Sequence, residues 1–99
     1  MKLKDILVES NADAEYTAMT AAKQRYQQLI SDIQRVEKET NLYLSDTNVD
    51  IQNTEDGGIT DQNTKEFWEG MYDSACQSAG YRAENDGADI NKLLGYNIY

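Results

Sequence analysis

The chain has no proline and no histidine, and only one cysteine, one phenylalanine and one tryptophan in 99 residues. Each shortage excludes something. Without proline, no ring clash forces a helix to kink or stop. Without histidine, the commonest general base and transition-metal ligand is gone. Cys76 alone closes no internal disulfide and builds no thiolate zinc site, and it has no imidazole to activate it. Gly57-Gly58 lacks the further glycines and the lysine of a phosphate-binding loop. No segment approaches the roughly 18 consecutive apolar residues of a membrane span. The opening MKLKDILVES has a short apolar stretch broken by Asp5, too little for a secretory signal. These gaps weigh against most enzyme classes. The expectation is a non-enzyme with no catalytic residue, cofactor or metal, soluble and intracellular (cytoplasmic), with a lone thiol that fits a reducing compartment.

Large aliphatic residues are also scarce: Leu, Ile, Val and Phe together number 18, against a formal net charge of −9. That balance borders on disorder. Seven Tyr, three Met and one Trp partly offset it. One thin-cored domain over residues 1–99 is expected, completed against a copy of itself or another protein. The charge is lopsided. Residues 1–45 hold seven acids and six bases, whereas residues 46–89 hold eleven acids and only Lys65 and Arg82. Direct binding to nucleic-acid phosphates is disfavoured, and a basic partner suits the chain better.

What is abundant is helical periodicity. Leu3, Ile6 and Leu7 fall at i, i+3, i+4 and predict a short helix over about 2–9, ended by Ser10-Asn11. Met19, Tyr26 and Ile33 then recur every seven residues, with Ala22, Leu29 and Val36 offset by three. The six form one stripe on a helix of about 13–40, and Ile30 widens it. A second helix is predicted over about 64–84, with Phe67, Met71, Ala75 and Ser78 on one stripe and Trp68, Tyr72, Cys76 and Ala79 on the next. Asn85-Asp86-Gly87 ends it, and Ile90, Leu93 and Leu94 mark a short helix stopped at Gly95. The apolar Tyr96–Tyr99 is expected to pack on its own chain or on a partner. The fold class is mainly α: a helical hairpin or small bundle, or else two helices paired between chains.

Residues 41–63 break the pattern. They are rich in Asn, Asp, Thr and Gly, with Val49 and Ile51 alternating as in a strand. A long acidic loop holding a short β-hairpin is expected. Asp46-x-Asn48-x-Asp50 opens like a calcium loop. However, the bend position six residues along is Ile51 rather than Gly, and the twelfth position is Gly57 rather than a bidentate Glu. The match is a fragment, and a solvated acidic loop is the better reading. Glu66, Glu69 and Asp73 share a helix face, but spacing alone buries none of them, so an exposed acidic face is expected rather than an acid–base pair.

Two functions remain. The first is an assembly or protein-interaction subunit, a homo-oligomer or part of a larger assembly such as a viral particle, with a seam of Met19, Ala22, Tyr26, Leu29, Ile33, Val36 and Trp68. On that reading Ile33→Asp abolishes assembly. The second is an acidic nucleic-acid mimic that inhibits a DNA- or RNA-binding protein, such as a host defence nuclease. Its decoy surface is Asp46, Asp50, Glu55, Asp56, Asp61, Glu66, Glu69 and Asp73.

Overall fold

The computed structural model describes residues 3–45, 47–58 and 61–99, with the side chains of 3–13, 47, 48, 53, 55 and 56 outside the description. Among these residues the chain is mainly helical, with four helices and no strand: α1 (Leu3–Thr40), α2 (Thr47–Asp56), α3 (Lys65–Asn85) and α4 (Ile90–Leu94). The short helix expected over 2–9 is not separate. α1 runs unbroken through Ser10-Asn11, as a chain without proline permits. At about 1.5 Å per residue its 38 residues span about 57 Å, which sets the 59 Å long axis of the molecule. Where its apolar side chains Leu3, Ile6 and Leu7 sit lies outside the described residues.

α3 is the hub, touching α1, α2 and α4, while α4 also reaches α1 and Ile51 of α2 packs on the Tyr26–Phe67–Met71 cluster shared by α1 and α3. Its ends are fixed locally. The Thr64 hydroxyl caps the start by accepting the Phe67 N–H at 3.2 Å. At the other end Gly87 takes a left-handed φ of 74° where a side chain would be strained. The α1–α3 interface is the core. Leu29, Ile33 and Val36 pack with Ala75, Cys76, Ala79 and Ala83, and Leu44, Ile90 and Leu94 close the end. A second cluster of Tyr26, Phe67 and Met71 lies toward the start of α3.

The six-residue stripe of α1 therefore meets α3 of the same chain. Ala22, Tyr26, Leu29, Ile33 and Val36 are buried there, and Met19 is half-buried. No partner reaches Ile33 without opening the hairpin. Ile33→Asp consequently attacks the fold and is no test of assembly.

The loop and hairpin expected over 41–63 give way to a turn and a helix. Asn41 leaves α1 with a left-handed φ of 62°, a conformation Asn tolerates. The Glu37 carboxylate then gathers the turn, accepting the Leu44 N–H at 2.8 Å, the Ser45 N–H at 3.3 Å and the Ser45 hydroxyl at 3.0 Å. This seats Leu44 in the core. α2 follows, and its inward face is not the Val49/Ile51 alternation. Asp50 and Thr54, one turn apart, are buried, Ile51 is half-buried and Val49 faces out.

Candidate functional site

α2 takes up the last position of the calcium fragment. Asp50, its third ligand position, lies on a helix and is fully buried, with Oδ1 accepting from the Ser78 hydroxyl at 3.4 Å. Asp46 and the side chain of Asn48 lie outside the described residues. Among the described residues no group of three His, Cys, Asp or Glu side chains is placed to hold a metal ion.

Burial also removes Asp50 from the acidic surface. Glu55 and Asp56 have side chains outside the description. Asp61 is exposed but works locally, since its carboxylate accepts the Asn63 N–H at 2.9 Å and its carbonyl accepts the Thr64 hydroxyl at 2.8 Å. Glu66 and Asp73 are exposed on α3 and Glu69 is half-buried. Glu69 pairs with Lys65 at 3.6 Å, a surface pair of little energetic weight. Three of the chain's nine bases stand over aromatic rings: Lys23 over Trp68 (5.4 Å), Arg25 over Tyr72 (4.9 Å) and Arg82 over Tyr43 (4.7 Å). Each such contact contributes on the order of 0.5–1 kcal/mol at an exposed site.

Trp68 stands apart from the rest of the expected seam. Tyr26 and the other α1 seam residues from Ala22 to Val36 are buried, but Trp68 keeps part of its indole at the surface. Besides the Lys23 ammonium over it, three contacts hold the ring. Its Nε1–H donates to the Gln62 carbonyl at 2.7 Å. It meets Phe67 edge-to-face at 5.1 Å and Tyr26 in a tilted pair at 5.8 Å. The indole walls an open depression of about 260 Å³ with Tyr26, Gln27, Ile30, Ser31 and Gln34. Gln27, Ile30 and Gln34 recur at three and four residues, so one flank of α1 forms its other side. Half-buried Ile30 and Ile51 rest on the same Tyr26–Phe67–Met71 cluster. The result is a rigid aromatic anchor beside an aliphatic floor with an amide rim. The sequence marked Trp68 and Ile30, but nothing in it joined them to Gln27 and Gln34.

Cys76 is buried in the core. Burial first, then the nearby Asp73 charge, pushes its thiol from 9.0 to about 11, so it is no nucleophile near neutral pH. No helix is long and apolar enough to cross a membrane among the described residues. No protein-family model, curated protein or solved structure matches the chain.

Proposed function

We propose that this chain is a non-enzymatic protein-interaction subunit that docks a protein partner, a second copy or a component of a larger assembly, at the Trp68 depression. One observation carries the reading: the chain's single tryptophan is held by a hydrogen bond, two aromatic contacts and the Lys23 ammonium, yet keeps part of its indole at the surface beside Ile30. Tryptophan dominates interface energetics, and a side chain already ordered loses little entropy when a partner covers it. Because Trp68 is the only tryptophan, its emission reports directly on docking.

The test is light scattering behind a sizing column at low and high salt, combined with tryptophan emission. Docking at an apolar depression survives salt, shifts emission to the blue, and is lost in Gln34→Glu, which puts a charge on the rim and leaves the core alone. Association that ignores Gln34→Glu and leaves the emission unchanged refutes this surface.

A second reading, the nucleic-acid mimic, is favoured by the exposed acids of α3. Glu66, Glu69 and Asp73 recur at three and four residues, and Glu84 continues their outward face. It requires a basic target bound with steep salt dependence. Charge reversal at Glu66, Glu69 and Asp73 abolishes that binding while leaving Trp68 docking intact.

A further inference from the structure

Beyond α4 the chain turns at Gly95, whose φ of 87° is left-handed, and lays residues 96–99 across the junction of α3 and α4. Several anchors hold this stretch. Asn91 reads its backbone: Oδ1 accepts the Ile98 N–H at 2.7 Å and the Tyr99 N–H at 3.1 Å, and Nδ2 donates to the Tyr99 carbonyl at 3.0 Å. Ile98 packs on the core cluster that includes Ala79, Ala83, Ile90 and Leu94. The Tyr99 ring lies so close over Gly80 that a β-carbon there would overlap it. At the near end the Tyr96 hydroxyl donates to Asp32 Oδ2 of α1 at 2.5 Å. Burial, and then that bond, hold the Tyr96 phenol well above the ordinary tyrosine range.

A segment that merely covers apolar surface needs only the Ile98 seat. This one is also read along its backbone by a side-chain amide, admitted by a missing side chain at Gly80, and gripped at a phenol. These are the elements with which proteins recognise extended peptides: backbone hydrogen bonds for affinity and side-chain seats for specificity. The groove is not closed over its occupant. Tyr99 and Tyr96 are 54% and 42% exposed. An open space of about 380 Å³ flanks Tyr99, bounded by Gly80, Glu84, Asp89 and Asn91.

We propose that Gly80, Asn91 and Asp32 form a recognition groove for an extended Tyr-x-Ile-Tyr segment, and that copies of this chain exchange residues 96–99, each seated in its neighbour's groove. The occupant is set by what already sits there. A second copy carries the matching segment by construction, and the exchanged contacts are the same as the closed ones. The two forms then differ only in the hinge at Gly95 and in the entropy of association, the usual conditions for exchange. In the closed form the segment competes at an effective concentration in the millimolar range. Exchange therefore emerges when copies are crowded, or when a copy is unable to close on itself.

That last condition supplies the test, on full-length chains. Gly80→Leu blocks the groove and leaves the segment intact. The double variant Ile98→Ser, Tyr99→Ser spoils the segment and leaves the groove intact. Neither closes on itself, and neither pairs with its own kind through this surface. Mixed at several hundred micromolar, they have one productive pairing. Native mass spectrometry is expected to show a 1:1 heterocomplex at least about tenfold more abundant than the homodimer in either separate sample. A mixture that is no more than the sum of its parts overturns the proposal. Should Gly80→Leu lose its helical circular dichroism, Asn91→Ala replaces it, removing the amide and leaving the core untouched. Association through the Trp68 depression, on the other flank of α1, is equal in the separate and mixed samples, so this result and that of the Trp68 reading stay distinct.

Discussion

α3 carries two neighbours on two different kinds of contact. Toward α1 it presents Ala75, Cys76, Ala79 and Ala83, which meet Leu29, Ile33 and Val36 in an apolar core. Toward α2 it presents Gly70 and Ser78 beside Phe67 and Met71, and apart from Ile51 what arrives is polar. The Ser78 hydroxyl meets the buried Asp50 carboxylate, and the Thr54 side chain sits over Gly70. Thr54 satisfies its own hydroxyl by donating to the Asp50 carbonyl at 3.0 Å. The first interface removes large aliphatic side chains from water at about 25 cal/mol per Å². The second buries few of them, and the Ser78–Asp50 hydrogen bond that crosses it has a net worth of about 1 kcal/mol. At ten residues α2 is also too short to be helical alone. The difference teaches that one helix holds both the part of the fold that defines the molecule and the part most ready to yield.

The largest effect is expected where the first interface is struck. Ile33 is fully buried at the centre of the stripe, and Ile33→Asp places a carboxylate there without a partner. A loss of about 4 kcal/mol or more is expected, enough to unfold a domain of ordinary marginal stability. Circular dichroism should show loss of helix, not a folded chain with altered assembly. A folded monomer would mean that the α1–α3 core is not what holds the chain together.

Alkaline pH strikes the same interface from Cys76. Burial raises its thiol to about 11 from an ordinary 9.0, so the folded state holds its proton at pH values where the unfolded chain has lost it. Stability from this group is complete below pH 9 and falls as pH rises through about 11. The full loss is on the order of 2–3 kcal/mol. Denaturant titrations between pH 8 and 11 should show a steeper decline for the wild type than for Cys76→Ala, the difference cancelling the tyrosines common to both. Parallel declines would place the thiol in contact with water.

Much of the first interface was legible in the sequence, and the second was not. Five of the six stripe positions from Met19 to Val36 are buried, because an apolar heptad on a long helix must be covered, although the sequence left open whether by α3 or by a second chain. The start of α3 near residue 64, the stop at Asn85-Asp86-Gly87 and the short helix before Gly95 follow from equally local chemistry. α2 escaped because period-reading assumes that the buried face is apolar. Its inward residues are Asp50 and Thr54, while Val49 and Ile51 stand two apart and imitate a strand. The Glu37 clasp and the docking of residues 96–99 escaped because each depends on residues that the turn or the tertiary fold brings together. Of the candidate site, Trp68 was visible as an aromatic beside a phenylalanine, but the depression beside it depends on how α1 crosses α3. Thr54→Ala tests how firmly α2 is seated on Gly70. It is expected to cost about 1 kcal/mol. The loss should be confined to α2, with amide exchange over residues 49–56 accelerated and that of α1 and α3 unchanged. Uniform acceleration would show that α2 opens only with the whole fold.

The smallest expected effect has the opposite sign and sharpens the comparison most. Gly70 lies inside α3, where glycine costs about 1 kcal/mol relative to alanine. A β-carbon at Gly70 would meet only Thr54 Cγ2 at 3.4 Å and Oγ1 at 3.6 Å, ordinary van der Waals contacts. Gly70→Ala should therefore stabilise the chain by about 0.5 kcal/mol, raising Tm by about 2–4 °C for a domain of this size. The same change at Gly80 should not, because there the obstacle is the Tyr99 ring pinned through Asn91. If Gly70→Ala instead lowers Tm, α2 is seated as firmly as the 96–99 segment, and the polar interface is as rigid as the apolar one.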